Sequence, residues 1–394
     1  MDEHQPMVFC NRTVVLPHID LLPHSINLYI IPTICIFGAL AALLCIVVFS
    51  KRQMRLRSSL NVYLAGLSFF DFILLIMSLL IYTPMQACIE QGRAGTPVCY
   101  FFWHSTLITY PVSLIAQTGS VWTCVSVTVD RFLAVSYPLH SKIWCTPKRA
   151  FSILITITIL SVLYRVPSFF ELTLNECGEL NPAELRQNHL YVMLYINYGY
   201  LFVMLLVPWS IMIVLNTFVV MAVHRAYKFR QTLQGGKGQE ERDRRCTMMA
   251  LCMILTFVLF NLLSALNNIV EYFDFEMEPN VRHYMVPLGN LFICLNSASN
   301  IIIYSLFGAR FRRMCVLMLC GRNSRWNIWL KTGNRIVSEM DMRENFTVRS
   351  SCDASVALIT ATRANSARYC KPPPSIQRMK TSYSSRQVHI PSAV

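Results

Sequence analysis

The sequence predicts an all-α membrane protein, a seven-transmembrane helix bundle with a short amphipathic eighth helix. Three observations predict it. Hydrophobic residues make up 54% of the 394-residue chain and charged residues only 14%, where a soluble domain carries roughly 25% charged residues. Seven apolar runs each suit the roughly 20 residues that a spanning helix needs. The segments between the runs alternate between basic and acidic, the pattern expected when basic loops stay in the cytoplasm.

The runs fall at Leu28–Phe49, Leu60–Tyr82, Tyr100–Val135, Phe151–Phe170, Tyr191–Val223, Met248–Val270 and Met285–Phe307. The third and fifth exceed what the bilayer requires, so they tilt or project beyond the lipid. Lys51, Arg52, Arg55 and Arg57 follow the first run; Lys142, Lys148 and Arg149 follow the third; Arg225, Lys228, Arg230, Lys237, Arg242, Arg244 and Arg245 follow the fifth. These loops and the C-terminal segment are expected inside. The remaining loops carry Glu90, then Glu171, Glu176, Glu179 and Glu184, then Glu271, Asp274, Glu276 and Glu278. They are expected outside, with the N-terminus. The chain is then a multi-pass plasma-membrane protein whose solvent is the lipid bilayer. Its net charge of +14 is that of inward-facing loops and tail, and no nucleic acid partner is expected. No secretory signal pattern opens the chain, so the first run would itself direct insertion.

Four segments follow: an extracellular stretch over 1–27, the bundle over 28–307, a surface helix over 308–320 and a cytoplasmic tail over 321–394. In the third, Phe307, Phe311, Met314, Cys315, Met318 and Leu319 share one helical face, with Arg310, Arg312 and Arg313 on the other side. That is the pattern of a helix lying on the inner membrane surface, with Cys315 and Cys320 as palmitoylation candidates. Asn11-Arg12-Thr13 makes Asn11 a glycosylation acceptor on the outer segment. The same pattern at Asn345-Phe346-Thr347 lies inside and is not expected to be modified. The tail, rich in Ser, Thr and Arg, reads as disordered and phosphorylatable. Its end, Ser392-Ala393-Val394, offers a PDZ protein a terminus to capture.

Of the fifteen cysteines, Cys35, Cys45, Cys124, Cys252 and Cys294 lie inside apolar runs, where they act as small hydrophobes. No CxxC pair occurs, so no zinc or redox site is expected. Polar groups inside the membrane are costly and point to function. Asp71 is the lone acid of the second run. Tyr110, Ser113, Gln117, Ser120, Cys124 and Arg131 share one face of the third. Asn296, Asn300 and Tyr304 repeat every four residues along the seventh. A carboxylate at Asp71 beside the oxygens of Ser120, Asn296 and Asn300 could hold a sodium ion, the only cofactor considered. The alternative is a purely structural hydrogen-bond network between helices.

These residues resemble the rhodopsin-like (class A) G-protein-coupled receptors over about 28–320. The resemblance rests on Leu67-Ser68-Phe69-Phe70-Asp71 in the second run and Asp130-Arg131-Phe132 at the end of the third. It continues with Pro208 in the fifth, Asn300-Ile301-Ile302-Ile303-Tyr304 in the seventh and Phe311 beyond it. Departures are the absence of Asn in the first run and of Trp in the fourth. Phe260-Asn261-Leu262-Leu263 stands where the family has Cys-Trp-x-Pro, so no proline supplies a kink there. A closer resemblance is to invertebrate FMRFamide-type neuropeptide receptors. It is carried by Gln53-Met54-Arg55, Tyr110-Pro111, Ile115-Ala116-Gln117-Thr118, Cys145-Thr146, Pro167 with Phe169-Phe170-Glu171, and Asn296-Ser297 before Asn300.

The resemblance implies a bridge between the second outer loop, at Cys177, and the top of the third span, at Cys99 or alternatively Cys88, with Cys99 the preferred choice. It implies that Asp130, Arg131, Phe132, Asn300 and Tyr304 serve activation and coupling, with Arg131 held by Asp130 at rest. The partners it implies are an extracellular peptide ligand, a heterotrimeric G protein and arrestin. The third run has Ser113 where amine receptors carry an acid, and the seventh has no lysine for a retinal Schiff base. Acidic outer loops suit a cationic, amidated, RFamide-like peptide, whose guanidinium pairs with carboxylates. By depth and face, Tyr110, Gln117, Glu171, Asn267, Glu271 and Tyr284 are its expected contacts. A chemosensory receptor for a small molecule is the alternative. A transporter is less favoured because no inverted repeat is visible. No HExxH, Walker loop or GxSxG is present, so no enzymatic activity is expected.

Overall fold

Two Thr-Pro steps start helices. Thr96 precedes Pro97 and Thr146 precedes Pro147. Each threonine hydroxyl accepts a backbone N–H three residues on, from Cys99 and from Arg149, both at 3.4 Å. The proline that follows has no N–H to leave unpaired in the first turn. The computed structural model describes residues 21–55, 58–91, 96–176, 178–231, 237–272 and 279–319. Among these, eight principal helices follow in order. They are α1 (Leu22–Ser50), α2 (Ser59–Gln91), α3 (Pro97–Ser136), α4 (Pro147–Arg165), α5 (His189–Arg225), α6 (Lys237–Tyr272), α7 (Pro279–Phe307) and α8 (Ala309–Leu319).

Helices α1 to α5 and α7 are long and apolar enough to cross a membrane, and α6 carries the apolar stretch Leu251–Asn267. Each predicted run therefore corresponds to a helix. Outward faces are apolar: Phe37, Ile159, Leu163, Phe202, Val214 and Leu255 are all exposed, as lipid-facing side chains are. Among the described residues α2 packs against α1, α3, α4 and α7, and α3 against α2, α4, α5 and α6. These two helices form the middle of the bundle.

Gly119 permits their close approach. A Cβ built there would overlap the Phe70 ring of α2. Gly119→Val is expected to destabilise the bundle by about 1–3 kcal/mol, the usual cost of overpacking a filled core. Thermal denaturation of the detergent-solubilised protein measures it.

Three apolar clusters stack along the bundle. Phe49, Tyr63, Val127, Met253, Ile303, Tyr304 and Phe311 fill one end. Leu67, Val121, Met204, Met212 and Phe257 fill the middle, and Ile31, Cys35, Leu75, Leu291 and Cys294 the other end. At the first end the Phe49, Tyr304 and Phe311 rings lie 5.2–5.8 Å apart. They fix α8 against α1 and α7. Arg312 Nη1 donates to the carbonyls of Ser305 (2.7 Å) and Leu306 (2.8 Å), closing the end of α7.

At the opposite end α4 continues as a 3-10 turn, Val166–Phe170, into a hairpin of β1 (Leu172–Leu174) and β2 (Leu180–Pro182), paired Leu172 to Pro182. Gly178 adopts a φ of 73° in its turn, a conformation that glycine reaches without strain. A one-turn helix, Glu184–Gln187, then leads to α5. Most of the first half of α5 is π-helical, over Val192–Gly199 and Leu201–Leu206, a geometry often found at functional sites. Helix α6 runs unbroken through Phe260-Asn261, as the missing proline implies. The Asn261 amide donates to the Phe257 carbonyl at 2.8 Å.

The expected Cys99–Cys177 bridge is corrected. Cys99 is bonded to Cys88, with Cα atoms 4.8 Å apart, inside the ordinary disulfide range. The reason is local: Cys88 lies in the last turn of α2 and Cys99 in the first turn of α3, which brings the two thiols together. Cys177 lies outside the described residues, as do Asn11, Cys320 and the tail.

Candidate functional site

Residues of α2, α3 and α7 meet at a polar centre. Asp71 is 1% exposed. Its Oδ1 accepts from the Ser120 hydroxyl at 3.1 Å and its Oδ2 from the Asn300 amide at 2.7 Å. Ser297, one turn before Asn300, is buried with its hydroxyl beside the same carboxylate. No described bond joins the Asn296 side chain to the carboxylate; its backbone carbonyl accepts from the Ser299 hydroxyl at 2.9 Å. Three of the four residues expected around a cation are thus together. Ser297 rather than Asn296 is the other α7 side chain that faces the carboxylate. No described basic side chain pairs with Asp71, so its described partners are neutral donors.

At the α8 end of the bundle, Asp130 and Arg131 form an ion pair, with Asp130 buried. Phe132 packs toward Tyr137 and toward Phe218 of α5, at 6.0 and 6.2 Å. Tyr304 is fully buried in the aromatic cluster already described. Burial pushes the Cys315 thiol on α8 above its ordinary range, which disfavours the thiolate that acylation uses.

A second polar site lies at the hairpin end. Glu171, 2% exposed, follows the 3-10 turn. Its Oε1 accepts from the Ser168 and Tyr191 hydroxyls, both at 2.9 Å. Its Oε2 faces Arg186 Nη1 at 3.5 Å, and its backbone carbonyl accepts from Ala183 at 2.9 Å. The Arg186 guanidinium also lies near the Tyr110 hydroxyl of α3. Tyr195 stacks on Tyr191 with ring centres 5.0 Å apart, and its hydroxyl donates to the Tyr164 carbonyl at 2.7 Å. Two of the six expected ligand contacts, Tyr110 and Glu171, therefore lie near the same guanidinium, and Glu171 is already engaged by it.

The other four are distributed. Gln117 lies two turns further along α3. There it lines a narrow cleft with Tyr200, Met204, Trp209, Phe257 and Asn261. Asn267 of α6 donates to the Met285 carbonyl of α7 at 3.0 Å. Tyr284 is half-buried near the start of α7. Glu271 lies on α6, its side chain outside the described residues.

Two residues were missed from the sequence. Arg165, buried in α4, donates from Nε to the Thr118 hydroxyl of α3 at 3.1 Å and lies 4.6 Å over the Tyr164 ring. The rule that an ionisable residue within a span marks function would have found it. Arg186 stood among acidic loop residues and carried no signal of its own.

Comparison with known proteins agrees with this arrangement. The family model for serpentine type 7TM GPCR chemoreceptors, Srw, matches residues 29–322. An FMRFamide receptor of Drosophila melanogaster is 30% identical over 296 residues, 73% of this chain and 52% of that protein. The FMRFamide peptide receptor frpr-18 of Caenorhabditis elegans is 31% identical over 296 residues, 73% of this chain and 67% of that protein. The human thyrotropin-releasing hormone receptor is 23% identical over 352 residues, covering 79% of this chain and 84% of that protein. The chain thus spans about half the length of the Drosophila relative. With spanning helices enclosing a buried Asp71 centre and an Asp130–Arg131 pair at one end, the chain is a multi-pass membrane protein that belongs to the seven-transmembrane G-protein-coupled receptor family.

Proposed function

We propose that this chain is a plasma-membrane receptor for a cationic, amidated peptide of the RFamide type, with its N-terminus and hairpin end outside and α8 inside. The carrying observation is Glu171, a buried carboxylate at the hairpin end that already accommodates a guanidinium. FMRFamide is the ligand named for the two relatives near 30% identity. Peptide binding would favour one arrangement of the helices over another, and it shifts that balance only by the difference in affinity. At the other end, release of Arg131 from Asp130 opens the cleft for a heterotrimeric G protein. Arrestin and a PDZ protein would engage the tail.

The Asp71 centre fits a sodium ion: a carboxylate and the Ser120 and Ser297 hydroxyls supply the oxygen ligands that a hard cation takes. The ion would supply the positive charge that Asp71 otherwise lacks, steadying α2, α3 and α7 against one another.

The test is nucleotide exchange on G protein in membranes carrying the full chain, with Phe-Met-Arg-Phe-amide as the first peptide of an amidated series. Exchange that rises with peptide concentration is the expected result. Silence to every cationic amide, with a response to small molecules, would instead support a chemosensory receptor. That reading is favoured by the description of the matched family.

A further inference from the structure

Glu171 and Arg186 are bound unequally. Ser168 and Tyr191 hold Oε1 at normal hydrogen-bond length, and the hairpin holds the backbone through Ala183. The carboxylate is therefore fixed and shielded from water. Oε2 faces Arg186 at 3.5 Å, longer than the roughly 2.7–2.9 Å of a well-formed charge-assisted bond. Arg186 itself is 38% exposed and sits on the one-turn helix Glu184–Gln187, so its side chain can swing into solvent without unpacking a span. The other nearby guanidinium, Arg165, is committed to Thr118 and Tyr164 and forms no ion pair with Glu171.

From this we infer that Arg186 is an internal occupant of the ligand's guanidinium subsite, which the arginine of a cationic peptide must displace from Glu171. The inference rests on the proposed peptide ligand. Exchanging one guanidinium for another leaves the charge of the site unchanged, so no uncompensated buried carboxylate is created. Displacement also moves the Arg186 guanidinium away from its place near the Tyr110 hydroxyl on α3, which links ligand entry at the hairpin to a central helix. A site that is open only part of the time binds more weakly by that fraction. If Arg186 fills it nine-tenths of the time, its removal strengthens apparent binding roughly tenfold.

The experiment compares Phe-Met-Arg-Phe-amide with its citrulline analogue, which is isosteric and uncharged, on wild-type, Arg186→Gln and Arg186→Lys receptors, with surface expression measured for each. The reading is the potency ratio of the arginine peptide to the citrulline peptide in the exchange assay. Arg186→Gln is expected to raise arginine-peptide potency roughly tenfold and leave the citrulline peptide unchanged, with Arg186→Lys between it and wild type. A structural role for Arg186 would lower both potencies together. An arginine preference that persists in wild type but does not widen in either variant overturns the inference alone. A wild-type receptor that answers both peptides equally, or neither, removes the cationic-peptide reading and this inference with it.

Discussion

Asp71→Asn is expected to abolish the sodium dependence of the receptor's stability. In the wild-type protein sodium should raise the apparent melting temperature, and an organic cation of matched ionic strength should not. A ligand that binds only the folded state at ten times its dissociation constant adds about 1.4 kcal/mol. The expected response is therefore a few degrees and concentration-dependent. The amide variant preserves shape and keeps one acceptor for Ser120 or Asn300, but it has no charge for the ion to neutralise. In sodium-free buffer it should be at least as stable as wild type, because a buried carboxylate without a cationic partner is costly. Thermal denaturation in detergent across a sodium titration is the measurement. An equal sodium response in both proteins would reduce the centre to a structural network.

Glu171→Gln is expected to lower arginine-peptide potency roughly 10- to 100-fold, the range that follows from a charge-assisted hydrogen bond worth about 1.5–3 kcal/mol. The glutamine keeps an acceptor for Ser168 and Tyr191, so the hairpin should hold its place. The citrulline peptide should lose little. Parallel losses for both peptides would mean that Glu171 matters only for holding the hairpin against α5.

The bundle was legible in the sequence because lipid imposes a simple demand: length and apolarity had to mark each span. Asp71, Ser120 and Asn300 were legible for a related reason. A polar residue in a span must face the interior, and helical spacing shows which residues share that face. The hairpin end was not legible in this way. Glu171 and Arg186 are joined by a turn, a hairpin and a one-turn helix, none of which imposes a period on the sequence. Counting acidic residues gave the sign of the loop but not the partner already on its carboxylate. The Cys99 bridge was misassigned because the family resemblance pointed to a distant loop, while the adjoining ends of α2 and α3 favoured the near thiol. Asn296 and Ser297 are adjacent, and a small rotation of α7 decides which of them turns toward Asp71; spacing alone does not resolve that rotation.

The position of the Cys88–Cys99 bridge has a practical consequence for handling the protein. It fastens together two consecutive helices that already pack along their length through Phe70, Gly119, Asp71 and Ser120. A mild reductant that opens this bridge therefore loosens a short connection and leaves the interior of the bundle intact. Glu171 is held by hydroxyls, a guanidinium and a backbone amide, none of which a reductant touches.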